Sequence, residues 1–165
     1  MTGHVEPVGL LIGAARRGIK QAVGRRVGRY RLTPPQFWLL LAIQEGRAPS
    51  LGAIVDRLRG DQPTASRIVA ALVRRKLVRA DVDPDDRRRT LLSCTPAGMA
   101  LRAPLTSVAA EIRGAIVAGM DEEEQEMLRV GLRKVIENVE RFDGNGRAAR
   151  TARRTHRRVP AGSRR

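Results

Sequence analysis

The chain is poor in the residues from which most functional sites are built. A single cysteine, Cys94, in 165 residues excludes an internal disulfide and a cysteine-rich zinc site. The two histidines, His4 and His156, lie near opposite ends, so neither a metal set nor a Ser/His/Asp grouping can be assembled around them. No cofactor, no metal and no catalytic residue is therefore expected, and the chain does not read as an enzyme. No apolar run is long enough to span a bilayer and there is no signal-like apolar stretch, so a soluble cytoplasmic protein without a membrane partner is the default. Aromatic residues are scarce: one Trp, one Tyr and two Phe.

Positive charge, by contrast, is abundant. The formal net charge is +15, and 29 of the 32 cationic side chains are arginine. Residues 144–165 hold eight arginines and no acid, so this stretch contributes +8 and the remainder +7. A field spread over both parts predicts a polyanionic partner, nucleic acid ahead of an anionic membrane. Guanidinium forks match phosphate and guanine better than lysine does. GC-rich coding also inflates arginine, but it does not decide where the arginines cluster.

Three adjacent arginines, Arg87-Arg88-Arg89, fall in the stretch from Gly60 to Thr95. Asp61 is a good N-cap, and Pro63 sits in the first turn, where an N–H would lack a partner anyway. Ala65, Ile68, Val69 and Leu72 follow on one stripe, with Thr64, Ser66 and Arg67 off it near the positive end of the dipole. Apolar pairs Leu77-Val78 and Leu91-Leu92 then flank Asp83-Pro84-Asp85-Asp86-Arg87-Arg88-Arg89, a hairpin with an arginine-loaded tip. Ser50 caps a short preceding helix, Leu51 to Leu58, and Arg59-Gly60-Asp61 is a tight turn. Two short helices joined in this way make a helix-turn-helix, and the hairpin behind them makes it winged.

Upstream, Val8 to about Arg29 reads as a helix with an apolar stripe of Val8, Leu11, Ile12, Ala15, Ile19, Ala22, Val23 and Val27. Thr33-Pro34-Pro35 starts a second helix, apolar on nearly all sides from Phe37 to Ile43 and ended by Gly46. Phe37, Trp38 and Leu41 there read as ordinary core or, alternatively, as the wall of a pocket for a small effector. Cys94 is in phase with Leu92 and reads as a small buried hydrophobe rather than a redox sensor. Downstream, Thr95-Pro96 starts a long helix to about Gly119, with a kink near Ala100–Pro104. Asp121–Glu124 starts the last one, where Leu128, Leu132, Val135, Val139 and Phe142 recur at steps of four and three. That seam suits a second copy of the chain, although packing within the chain would also satisfy it. From Gly144 onward the sequence reads as a disordered basic tail that touches DNA phosphates or merely solvates the chain.

In this order the elements resemble the MarR family of bacterial transcription regulators, over about Val8 to Phe142. The most specific match is the wing: Asp86-Arg87-Arg88, then Thr90 to Ser93, then Cys94-Thr95-Pro96-Ala97-Gly98. Ser66-Arg67 with Val69 and Leu72 resemble the recognition helix. Cys94 stands where the family usually has Leu, and Lys76 stands where Gly precedes Leu-Val. The resemblance implies a mainly α fold with a small β-wing, a winged helix-turn-helix dimer shaped like a triangle. Residues 1–32 would be a dimerisation helix, 33–95 the DNA-binding domain, 96–143 further dimerisation helices and 144–165 the tail. Many members repress their targets and release DNA when a small, often aromatic, ligand binds. A branch senses peroxides through a cysteine in the first helix, which this chain lacks.

The expected partner is double-stranded DNA at the bacterial nucleoid, read as an inverted repeat by a homodimer. Gln62, Thr64, Ala65, Ser66 and Arg67 are the candidate major-groove surface. Arg88 is the candidate minor-groove reader, with Asp86 either orienting it or capping the turn. Arg74, Arg75, Arg87 and Arg89 are candidate phosphate contacts. A nucleoid-organising protein without a ligand switch is the alternative.

Overall fold

The computed structural model describes residues 5–46, 49–58 and 60–156, with side chains as far as Phe142. It divides into two compact units, one ending at Ile116 and the other beginning at Val117. The first holds helices α1 (Val8–Val27), α2 (Pro34–Glu45), α3 (Leu51–Leu58) and α4 (Gln62–Arg74), strands β1 (Val78–Val82) and β2 (Thr90–Cys94), and helices α5 (Pro96–Ala100) and α6 (Arg102–Ile116). The second holds the long helix α7 (Glu122–His156).

Helix α2 is the axis of the first unit. Thr33 Oγ1 accepts from the Gln36 N–H at 3.4 Å, and Gln36 Oε1 accepts from the Thr33 N–H at 3.0 Å. This reciprocal box, with Pro34 needing no donor, fixes where the helix starts. From Phe37 to Gln44 every side chain except Trp38 is buried. Around it pack Val23 and Val27 of α1, Ile54 of α3, Leu72 of α4, Leu92 of β2 and Leu105 of α6. The apolar stripe of α1 is therefore used only in its second half: Val8 and Leu11 stay exposed. Arg26 of α1 pairs with Glu111 of α6 at 2.6 Å, and the guanidinium holds that carboxyl below its usual range.

The wing is an antiparallel hairpin with Val78 opposite Cys94 and Val82 opposite Thr90. A third segment joins it. Ser50 bridges Leu91, and the Leu92 N–H donates to the Pro49 carbonyl at 3.0 Å. Ser50 does cap α3, its Oγ accepting from the Ala53 N–H at 3.2 Å.

The long helix expected after Thr95 is two helices. Pro104 has no N–H for the Ala100 carbonyl, and the chain breaks at Leu101, between α5 and α6. Where α5 begins, Gly98 lies so close to the end of α4 that a Cβ on it would stand 2.1 Å from the Leu77 carbonyl oxygen. Thr95 secures the joint: its hydroxyl donates to the Lys76 carbonyl at 2.6 Å, its N–H to the Leu77 carbonyl at 3.1 Å.

Helix α4 ends in a Schellman motif, with Leu77 N–H bonded to the Leu72 carbonyl at 3.0 Å and Lys76 N–H to the Val73 carbonyl at 2.8 Å. Its left-handed residue is Lys76, at φ 55°. The residue before it, Arg75, reaches back to the α1–α2 connection and donates to the carbonyls of Arg31 at 2.7 Å and Tyr30 at 3.1 Å.

In the second unit, Asp121 and Glu124 cap α7 reciprocally, at 2.8 and 2.9 Å, and three glutamates sit at the positive dipole end. Glu126 accepts from Arg129 at 3.0 Å and Arg133 at 2.7 Å, which holds its carboxyl below the usual range. Leu128, Leu132, Val139 and Phe142 are exposed. The helix continues to His156, past Gly144 where the sequence reading began the disordered tail; that tail's remainder, 157–165, lies outside the described residues. Among the described residues, no helix is long and apolar enough to cross a membrane.

Lys76→Gly should raise the unfolding free energy by about 1 kcal/mol, since glycine takes the left-handed conformation without a Cβ penalty. Gly98→Ala should lower it by about 1–3 kcal/mol, because the added methyl has backbone in its way. Arg75→Ala should cost about 1–2 kcal/mol by removing two hydrogen bonds that tie the end of α4 to the α1–α2 connection. Urea unfolding of the three variants checks the signs and the sizes.

Candidate nucleic-acid interface

The first turns of α4 are built around Asp61. Its Oδ1 accepts from the Thr64 N–H at 2.8 Å. Bonds from Thr64, with the positive charge of Arg67 nearby, hold this carboxyl below its usual range, so it stays ionised at the helix start. Ala65, Val69 and Leu72 turn inward and are buried. Gln62, Ser66, Arg67 and Arg74 turn outward and are exposed, and Thr64 is half-buried. Arg67 donates to Thr64 Oγ1 at 3.1 Å, which steadies its guanidinium against the first turn.

Two residues assigned to this surface from the sequence do not lie on it. Ala65 is only 7 % exposed and belongs to the core, because it falls on the Val69 and Leu72 stripe. Arg75 spends its guanidinium on the Tyr30 and Arg31 carbonyls rather than projecting toward a phosphate. The outward face also includes Ala70, exposed one turn beyond Ser66, which the sequence reading passed over. The i, i+4 step from Ser66 was the available signal, and a small side chain there lets a groove approach the backbone closely.

The wing tip closes on itself. The Asp83 N–H donates to the Arg89 carbonyl at 3.0 Å, and the Arg89 N–H to the Asp86 carbonyl at 2.8 Å. Asp83 is the anchor. It is 7 % exposed, its Oδ1 accepts from the Asp85 N–H at 3.0 Å, and its other oxygen faces Arg89 Nε at 3.7 Å. The sequence reading placed Asp83 among the charges of the turn without giving it a role; its Asp-Pro dipeptide was the clue. Asp86 does not grip the Arg88 guanidinium. Its Oδ1 accepts from the Arg88 backbone N–H at 3.0 Å, so of its two expected roles it takes the turn cap. Arg89 is drawn toward Asp83. Among the described residues, Arg87 and Arg88 are exposed and make no ion pair.

Of the three residues expected to wall an effector pocket, Phe37 and Leu41 are buried in the core and Trp38 is half-buried. The two rings meet edge to face, 4.6 Å between centroids. Cys94 is half-buried, and burial pushes its thiol up despite the charge of Arg102, as suits an inert side chain. Among the described residues, no group of three or more His, Cys, Asp or Glu could hold a metal ion.

An outward helix face beside an arginine-tipped hairpin is the arrangement of a winged helix-turn-helix. Solved structures have the same fold. The chain superposes on S. aureus MepR, solved as a DNA complex, with a TM-score of 0.74 over 81 % of this chain and 99 % of that one, at 24 % identity. It superposes on BpsR of Bordetella bronchiseptica with a TM-score of 0.71 over 82 % and 96 %, at 30 % identity. That structure concerns regulation of DNA binding by 6-hydroxynicotinic acid. The HTH-type transcriptional repressor NicR of Pseudomonas putida is 30 % identical over 110 residues, 67 % of this chain and 70 % of NicR. Residues 32–89 match the MarR family pattern. The chain belongs to the MarR family of DNA-binding transcription regulators.

Proposed function

We propose that this protein is a dimeric repressor that reads an inverted-repeat operator and leaves it when a small aromatic acid binds. The observation that carries the reading is the pairing of an outward α4 face with unpaired wing arginines. Gln62, Thr64, Ser66 and Arg67, with Ala70 between them and the phosphates, meet base edges in the major groove. Arg88 enters the minor groove, where a narrow A·T-rich stretch concentrates negative potential. Arg74, Arg87 and Arg89 meet phosphates, which position the reader without specifying sequence.

Residues 33–95 are then the reader, 1–32 and 96–143 the parts that pair two copies, and 144–165 a source of sequence-independent positive charge. Exposed Val8 and Leu11 in α1 and the exposed Leu128, Leu132, Val139 and Phe142 of α7 support the pairing. Two copies would set half-site centres about one helical turn apart, ~34 Å. Repression is supported by the likeness to NicR, and release by an aromatic acid by the likeness to BpsR. The protein acts on the nucleoid, in the cytoplasm, with no catalytic step.

The net charge of +15 favours a second reading, a nucleoid-organising protein without a ligand switch. Competition decides between them: a repressor keeps its operator against a large excess of random DNA, whereas an organising protein is displaced.

Selection of bound fragments from random duplex should return an inverted repeat. On that repeat, Arg88→Ala should weaken binding by about 1–3 kcal/mol at fixed salt while the dimer stays intact. Unchanged affinity in a gel shift would remove the wing from the reader.

A further inference from the structure

The start of α4 departs from the starts of α2 and α7. Gln36 is the third residue of α2 and Glu124 the third of α7. Each returns its side chain to the backbone N–H of the cap residue, at 3.0 and 2.9 Å. The third residue of α4 is Thr64. Its N–H donates to Asp61 Oδ1 at 2.8 Å, which makes the cap and leaves the hydroxyl free for another use.

A hydroxyl offers one hydrogen and two lone pairs. Thr64 Oγ1 accepts from Arg67 Nη2 at 3.1 Å. The Thr64 side chain also bonds to the Asp61 carboxylate; an ionised carboxylate only accepts, so the hydroxyl hydrogen points there. Carboxylate, hydroxyl and guanidinium thus form a relay at steps of three along the helix, where side chains are neighbours. Arg67 is exposed. Of the outward side chains of α4, which are Gln62, Ser66, Arg67, Ala70 and Arg74, it is the one that another side chain holds, among the described residues.

A guanidinium carries five N–H donors. One is spent on Thr64, and enough remain for a fork onto O6 and N7 of a guanine. Such a fork demands a fixed geometry, whereas a phosphate contact carries no sequence information. An unheld arginine would lose rotamer freedom on meeting the base; the Thr64 bond restricts that freedom beforehand.

We infer that Thr64 is a positioning residue: its hydroxyl, tied to Asp61, aims the Arg67 guanidinium at a guanine in the major groove and so sets the base preferred at one position of each half-site. The inference rests on the reading of α4 as the DNA reader and deepens it. Thr64 acts through Arg67, and Arg67 touches the base.

The test compares base preference, position by position, in the full-length protein and three variants. Operators are selected from random duplex with the wild type. Affinities at fixed salt are then measured for duplexes with each base pair exchanged in both half-sites. The wild type should prefer one guanine by about tenfold or more, and Arg67→Ala should lose that preference. Thr64→Val keeps the shape and the capping N–H but lacks the hydroxyl. It should cut the preference for that guanine by about threefold to tenfold and leave the other positions as they are. Thr64→Ser, which restores the hydroxyl, should restore the preference. The relay is overturned if Thr64→Val reads that guanine as the wild type does, or if Thr64→Ser does not rescue it. Equal loss at every position in Thr64→Val marks a disturbed helix start and overturns it as well. If Arg67→Ala changes no position, the relay falls, while a selected inverted repeat leaves the regulator reading standing. A wild type that selects no sequence sinks both.

Discussion

The backbone of Gly98 against the Leu77 carbonyl is the contact on which the DNA-reading half of the molecule depends. Only a residue without a Cβ permits it, the distance to an added carbon being 2.1 Å. Around that point three elements meet. Helix α4 must end there, and its Schellman bonds from Lys76 and Leu77 end it. Strand β1 must begin there, and Val78 opposite Cys94 begins it. Helix α5 must start there, and the Thr95 hydroxyl is shared between capping Gly98 N–H at 3.1 Å and donating to the Lys76 carbonyl. Recognition helix, wing and following helix are thus fastened at one joint rather than strung along a flexible chain.

The core supports this joint from below. Helix α2 is buried on almost every side, so it cannot shift without disturbing every neighbour, and cores of this density transmit displacement instead of absorbing it. Its last buried residue, Gln44, is the one that touches Gly98. The polar link and the apolar support act on the same few atoms.

Much of this was readable in advance where the determinants are local. The Thr33 and Asp61 caps, a disturbance at Pro104 (expected as a kink, found as a break) and the hairpin between Val78 and Cys94 follow from local sequence. Periodicity placed α2 in the core and gave α1 an apolar stripe, of which only the second half is buried. What escaped is long-range. The bond from Arg75 to Tyr30 and Arg31 spans 45 and 44 residues, and that from Gln44 to Gly98 spans 54. The added edge at Ser50 and Leu91 joins segments that no local pattern pairs. Asp83 and Asp86 look alike in sequence, yet one is buried and the other is not. Ala65 is a local case: it shares the inward stripe of Ile68, Val69 and Leu72, a pattern visible in the sequence, and is buried with Val69 and Leu72.

The self-closed wing tip has a thermodynamic consequence for encounter with DNA. Asp83 buried beneath the turn, the Arg89 latch and the Asp86 cap hold the loop in one shape within the free protein. The conformational entropy of ordering that backbone is therefore spent during folding, not during association. Only the side chains of Arg87 and Arg88 remain to be stilled. If the wing enters a groove as proposed, it would do so as a preformed wedge, its contribution to association governed by charge and diffusion rather than by a folding step.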